Sequence, residues 1–267
     1  MFIALDENKE RVSIDNVDKA KQYFCPVCGE KLSIRAMDSL AIKPHFAHKK
    51  GTECLDNWKH DMSEWHYNWQ CLFPKNCREI VVEKDGVKHR ADVLINNVVI
   101  EIQHSPITAN EITERNDFYL NSGYKVIWIF DAQDKVKNIY DVNGSVDPLH
   151  NELEWKRSRR EFNIPPKKDV YVFIEYSTEI FTNPPQTTAI MVWLTKFDPK
   201  KIECYNTYPL YINRFNFLKE MGLNVRSNQP ILSITEILKK HSDYRQKNAS
   251  QQKHYIIPYK NRRKFRF

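Results

Sequence analysis

The 267-residue chain has no run of eighteen or more apolar residues, so a membrane-spanning helix is excluded. Its start, Met1 to Glu10, lacks the basic-then-apolar pattern of a secretion signal, and a cytoplasmic protein is the expectation. No internal repeat is visible, which excludes a solenoid. Six cysteines are present: Cys25, Cys28, Cys54, Cys71, Cys77 and Cys204. Without a secretion signal a disulfide framework is not expected, and a Cys-x-x-Cys pair reads first as a metal or redox site. Acidic residues are missing from one place. Tyr244 to Phe267 holds eight Lys/Arg and no Asp/Glu, against +7 for the whole chain, so the remainder carries about −1. Such a basic tail, with aromatics beside the cations, can neutralise phosphates and stack on bases. The same composition also describes a solvated end with no partner.

What is present supports a sizeable core, with 41% hydrophobic and 12% aromatic residues. Phe2 to Leu5 reads as a short strand followed by a polar helical stretch to about residue 22. Residues 61–73 read as a helix with Trp65, Trp69 and Leu72 on one face. The period then changes to two. Arg78 to Lys84 is a strand, Asp85-Gly86 a hairpin turn, Val87 to Ile95 a second strand, Asn96-Asn97 a second turn and Val98 to Gln103 a third strand. Thr108-Ala109-Asn110-Glu111 has the form of a capping box and opens a helix to about Asn121, which Gly123 stops. Lys125 to Phe130 is a buried strand, and a short polar helix is expected near 131–139. The helix between the third and fourth strands suits a crossover to a parallel neighbour. The fold class expected is α/β, a mixed sheet flanked by helices. Further on, Asp169 to Tyr176 and Ala189 to Leu194 read as strands, and Tyr211 to Met221 and Ser233 to His241 as helices.

Cys25-Pro-Val-Cys28-Gly29 has the form of a zinc knuckle, in which the turn brings both sulfurs to one ion. His45-Phe-Ala-His48 follows. Cys25, Cys28, His45 and His48 would close a tetrahedral structural zinc site, with Cys54 a rival for one of the His positions. The βαβ context of a thioredoxin-type pair is missing. A closed site leaves no position for water, so no catalysis is expected there.

A second constellation lies on the meander. Asp92 sits on the second strand, and Glu101 and Gln103 share one face of the third. A carboxylate at the end of an apolar run is costly unless compensated, and a divalent cation is the natural compensation. Mg²⁺ or Mn²⁺ takes oxygen ligands, lowers the pKa of a bound water and offsets charge on a phosphate, as phosphodiester hydrolysis needs. Gln103 can orient water but cannot take a proton. Glu64 on the preceding helix is a further ligand candidate. His66 lies about 200° round that helix, so the two are not expected at one ion. The competing reading pairs Asp92 and Glu101 in salt bridges, for instance with Arg90 or Arg115.

These residues resemble the CoiA-like competence protein family. The resemblance rests on Cys25-Pro-Val-Cys28, Pro44-His45-Phe46-Ala47-His48, Ser63-Glu64-Trp65-His66, His89-Arg90-Ala91-Asp92-Val93, Ile100-Glu101-Ile102-Gln103-His104-Ser105, Glu114-Arg115-Asn116-Asp117-Phe118-Tyr119 and Gly123-Tyr124-Lys125-Val126-Ile127-Trp128-Ile129-Phe130, roughly residues 20–131. It implies a PD-(D/E)XK, restriction-endonuclease-like αβββαβ core behind a zinc-finger-like segment, and a link to DNA uptake and recombination. Asp92 and Glu101 take the places of the core carboxylates. Glu-x-Gln departs from the superfamily's usual Glu-x-Lys but is the form expected in this branch, and it leaves the general base unassigned. Arg115 and Tyr119, four apart on one helix face, would hold DNA. The domains expected are a zinc-binding module at 1–58, a nuclease-like core at 59–145, a carboxy-terminal domain of unknown role at 146–243 and a basic tail at 244–267. A catalytic Mg²⁺ or Mn²⁺, a structural zinc and a DNA partner complete the reading. The alternative is a non-catalytic DNA-binding accessory protein, and a third is a zinc scaffold that contacts proteins alone.

Overall fold

The computed structural model describes residues 1–39, 42–58, 63–133, 135–138, 153–164, 166–180, 186–197, 199–200, 202–204, 211–212, 214 and 217–218. The chain divides into two compact units, Met1–Phe217 and Leu218–Phe267, and the account below concerns the first. The helix expected over 233–241 and the basic tail lie outside the described residues.

The amino-terminal module is an antiparallel five-stranded sheet in the order β2-β1-β3-β4-β5. Its strands are β1 (Ile3–Leu5), β2 (Arg11–Ser13), β3 (Tyr23–Phe24), β4 (Lys31–Arg35) and β5 (His45–His48). The polar stretch after Leu5 is therefore a hairpin and not a helix. Asp6 Oδ1 accepts from Asn8 N at 2.9 Å and Glu10 N at 2.8 Å, and Lys9 takes a φ of +64°. A side chain that captures these amides offers the backbone a turn in place of a helical ladder. Phe2, Ala4, Ile14, Tyr23, Leu32 and Phe46 form the module's own core.

The larger sheet begins after α1 (Glu64–Gln70) and runs in the order β14-β13-β12-β9-β8-β7-β6, with β15 (Tyr211–Ile212) beside β13. The strands β6 (Arg78–Lys84), β7 (Val87–Ile95) and β8 (Val98–Gln103) form the antiparallel meander, and α2 (Ala109–Asn121) crosses to β9 (Lys125–Asp131), parallel to β8. The order helix, three strands, helix, strand is that expected. Every residue of β8 is buried, as a central strand covered on both faces requires.

The two helices cover opposite faces. On α2, Asn116 accepts from Trp128 Nε1 at 2.8 Å, whereas Trp69 of α1 meets Phe217, which in turn packs on Phe173. Phe173 is the register partner of Ile129, one residue past Trp128, and neighbours along a strand face opposite ways.

Two expectations change here. The stretch near 131–139 is not helical: β10 (Val136–Asn138) pairs with β11 (Leu153–Trp155), and Val136 and Trp155 are buried in the main core. The strands expected within 146–243 do not form a sheet of their own. β12 (Val170–Ile180) is parallel to β9, and β13 (Gln186–Phe197) and β14 (Ile202–Cys204) extend the same sheet.

Glu79 joins the two sheets. It takes a φ of +47° on β6, and its carboxylate accepts from Phe2 N at 2.8 Å and Ile3 N at 2.9 Å. Burial pushes its pKa up, but Arg90 and these two amides outweigh burial and hold it below the ordinary value. A depressed carboxylate contributes its stability above the unfolded value and loses it as the pH falls through the lower folded value. Glu79→Gln should therefore cost about 1–3 kcal/mol at neutral pH by urea unfolding. The gap to wild type should close as both are taken below about pH 4.

Candidate active site and metal centre

β7 and β8 are paired through Ile95↔Val98, Leu94↔Val99 and Val93↔Ile100. Continuing that register would set Asp92 opposite Glu101. At this point the Asp92 side chain enters the ladder, with Oδ2 accepting from Ile102 N at 2.9 Å. Its other oxygen, Oδ1, lies 3.3 Å from His66 Nε2 on α1. Both carboxylates are buried, Asp92 at 3% and Glu101 at 1% exposure. Two buried acids this close in register demand positive charge nearby.

Part of that charge is built in. Arg115 donates to Glu101 Oε2 at 2.7 Å, and the Tyr119 hydroxyl donates to Oε1 at 2.8 Å. Arg115 also donates to Glu111 at 2.5 Å and stands 5.0 Å from the centre of the Trp58 ring. Burial pulls the guanidinium pKa down, but Glu101 and Glu111 reverse this and hold it above its ordinary value. Burial, with Glu101 next, keeps Tyr119 protonated far beyond neutral pH. Arg115 and Tyr119 do share a helix face, as their spacing requires. They are not exposed for substrate, however: both are buried and grip Glu101. Arg115→Ala would strand a buried carboxylate and should cost about 3–5 kcal/mol in chemical unfolding. Tyr119→Phe, which removes one hydrogen bond, should cost about 1–2 kcal/mol.

Gln103 lies on the face of Glu101, and its amide donates to Ser105 O at 2.6 Å. His104 follows, with Nδ1 2.5 Å from Asp131 Oδ2, and lines a cavity of about 280 Å³ with Asp131, Lys135 and Arg159.

Glu64 is not brought to this cluster. Its side chain is 68% exposed and lies 3.6 Å from Lys43 Nζ. His66 takes the inward position because the buried face of α1 is His66, Trp69 and Gln70, spaced at three and four. Leu72, expected on the inner face, is exposed. The signal was hidden because two of the three inward residues are polar.

In the amino-terminal module Cys25, Cys28, His48 and Cys54 bring their ligand atoms within 4.8 Å of one another. Cys25 Sγ and Cys54 Sγ are 4.0 Å apart, and Cys28 Sγ is 3.3 Å from His48 Nε2. Thiolates ~2.3 Å from a tetrahedral zinc stand ~3.8 Å apart, so the set fits that ion. Burial raises the Cys25 thiol and pushes Cys54 up to about 12, so a cation is what would make these sulfurs thiolates. His45 is not a member. It is three residues from His48 on a strand, so the two face opposite ways, and His45 Nδ1 sits 2.9 Å from Lys43 O. Cys54 takes its place.

Residues 59–206 match the family model described as competence protein CoiA, nuclease-like domain, and residues 6–57 match that of the competence protein CoiA, N-terminal domain. No curated protein and no solved structure matches the chain. The nuclease-like model alone spans more than half of the sequence and contains Asp92, Glu101 and the helix that grips Glu101. The chain belongs to the CoiA competence protein family.

Proposed function

We propose that the protein is a Mg²⁺- or Mn²⁺-dependent nuclease of the PD-(D/E)XK kind that hydrolyses phosphodiester bonds in DNA, in uptake, recombination or processing of foreign DNA. The observation that carries this reading is the placement of Asp92 and Glu101. In a nuclease-like domain both are buried on neighbouring strands, at the point where the β7–β8 pairing ends and the Asp92 side chain accepts from Ile102 N. Each carboxylate offers about four lone-pair sites, so an oxygen that accepts one hydrogen bond can still hold a cation. A divalent ion held there would acidify a bound water and offset charge on the phosphate.

The surrounding residues prepare the carboxylates. Ile102 N fixes the Asp92 side chain in the sheet, and Arg115 with Tyr119 fixes Glu101. Gln103 serves as a positioning residue, donating through its amide and moving no proton. In this reading Cys25, Cys28, His48 and Cys54 hold a structural zinc, and the action is cytoplasmic. Cleavage of single- and double-stranded DNA with added metal, wild type against Asp92 and Glu101 variants, tests the assignment.

One observation favours a second reading, a non-catalytic DNA-binding accessory protein. Both oxygens of Glu101 already have donors, one of them a cation, so part of its charge is spent before any metal arrives. Salt-dependent DNA binding with no cleavage under Mg²⁺ or Mn²⁺ would establish it.

A further inference from the structure

Lys156-Arg157-Ser158-Arg159-Arg160 sets four cations in five residues, and the catalytic reading uses none of them. Such a run is most often a solvated stretch of surface. Here it is held at fixed points. Trp155 and Phe162, which bracket it, are buried and stacked, with ring centres 5.0 Å apart and 13° between planes. Lys156 N donates to Lys135 O at 2.9 Å, and Arg159 N to Pro199 O at 2.7 Å. Lys156, Arg157 and Arg160 are exposed between these anchors, whereas Arg159 lines the cavity of about 280 Å³ with His104, Asp131 and Lys135. Arg159 Nη2 pairs with Glu161, while its Nε is shut from solvent with no acceptor among the described residues. The acid of the cavity is engaged by the cavity's own wall. Asp131 Oδ1 accepts from Gln133 N at 3.0 Å, and Oδ2 lies 2.5 Å from His104 Nδ1. Lys135 Nζ donates to the Asp131 carbonyl at 2.7 Å.

This cavity adjoins the proposed active site. Successive residues of α1 touch both. The Trp65 ring is centred 6.1 Å from that of His104, and His66 Nε2 lies 3.3 Å from Asp92 Oδ1. β8 and β9 run parallel with Gln103 opposite Phe130, so His104 and Asp131 stand just beyond, at the carboxyl ends of the two strands. Open α/β sheets take their ligands at that end. We infer that the Lys156–Arg160 loop and Lys135 grip the DNA backbone. Arg159 and Lys135 hold one phosphate at the cavity, and Lys156, Arg157 and Arg160 hold its neighbours, so that the strand is set against Asp92 and Glu101. The inference rests on the nuclease reading and supplies a contact surface for it, since Arg115 and Tyr119 are spent on Glu101. Guanidinium forks match phosphate oxygens, and lysine ammonium groups serve as point charges beside them. Backbone contacts of this kind position a duplex and carry no sequence information.

A fluorescein-labelled DNA duplex is the probe, added to the zinc-loaded full chain without Mg²⁺ or Mn²⁺ so that cleavage does not compete with binding. Fluorescence anisotropy over a series of salt concentrations gives the affinity and the salt slope. Lys156→Ala, Arg157→Ala and Arg160→Ala together remove only exposed side chains. This loop variant should bind ~10- to 100-fold more weakly at low salt, with a slope smaller by about 2–3, because each phosphate contact contributes about 1. A tail variant, Lys260→Ala with Arg262→Ala and Arg263→Ala, removes the same charge elsewhere and should lose less. In cleavage with Mn²⁺ the loop variant should raise KM and keep kcat near wild type, as loss of uniform binding requires. Affinity that the loop variant keeps, or loses no more of than the tail variant does, overturns the inference. So does a fall in kcat with KM unchanged. The two levels fail separately. Loop-dependent binding with no cleavage under Mg²⁺ or Mn²⁺ keeps the loop and removes the nuclease reading. Cleavage that needs Asp92 but is indifferent to the loop keeps the nuclease reading and removes the loop. A wild-type protein that binds no DNA overturns both.

Discussion

Asp92→Asn is expected to lower metal-dependent DNA cleavage by about 10³-fold or more, a loss of ~4 kcal/mol of transition-state stabilisation. The argument is electrostatic. The substitution keeps an oxygen able to accept from Ile102 N, so the β7–β8 junction retains its hydrogen bond. It removes the negative charge that a divalent ion needs. Glu101→Gln should behave alike, with the amide oxygen still accepting from Arg115 and the amide nitrogen donating to the Tyr119 hydroxyl oxygen in place of the present bond. Both variants should keep the wild-type far-ultraviolet circular dichroism. Glu101→Gln leaves Arg115 less compensated and should be the less stable of the two. Cleavage that survives both substitutions would remove the catalytic assignment and leave the DNA-binding reading in possession of the fold.

The second large effect concerns the Cys/His cluster. Cys54→Ser should lose zinc, measured as metal content of the purified full chain, while His45→Ala should keep one zinc per chain. Structural zinc contributes an apparent ~10–16 kcal/mol in small zinc modules. The five-stranded sheet has a modest core of its own, so loss of the ion should unfold it well below the main domain's transition. Chelation of the wild-type protein should reproduce the same early transition. Retention of zinc in Cys54→Ser together with its loss in His45→Ala would reverse the ligand assignment. Loss from neither would deny the cluster any zinc role.

These two sites differ in how far they could be read from the sequence. The meander was legible because its signals are local. Asp85 and Gly86, and Asn96 and Asn97, all take positive φ in the turns their residue types favour. Thr108 Oγ1 accepts from Glu111 N at 3.1 Å, capping α2, and Gly123 ends it at a φ of +86°. The residues that the local rules could not place depend on distant partners. β10 exists because Leu153–Trp155 returns to pair with it, and β12 joins β9 from more than forty residues away.

The ligand set turned on a parity. His45 and His48 look equivalent in a motif, but on a strand an odd separation sends them to opposite faces, and only the strand assignment of β5 reveals this. Arg115 and Tyr119 show the same limit from the other side. Their common face followed from spacing, but whether that face met solvent or Glu101 depended on how α2 packs on the sheet. Which of Glu64 and His66 turns inward is not legible in the sequence, because a polar inward face on a seven-residue helix leaves no apolar period to detect.

The central claim is that Asp92 and Glu101 share a divalent ion. A crystal of the protein soaked in Mn²⁺ tests it directly through the anomalous scattering of the metal. The account predicts a peak within coordination distance of carboxylate oxygens from both residues, with Arg115 and Tyr119 still holding Glu101 from behind. A soaked crystal with no peak there, and with Glu101 bound to Arg115 and Tyr119 alone, would contradict it.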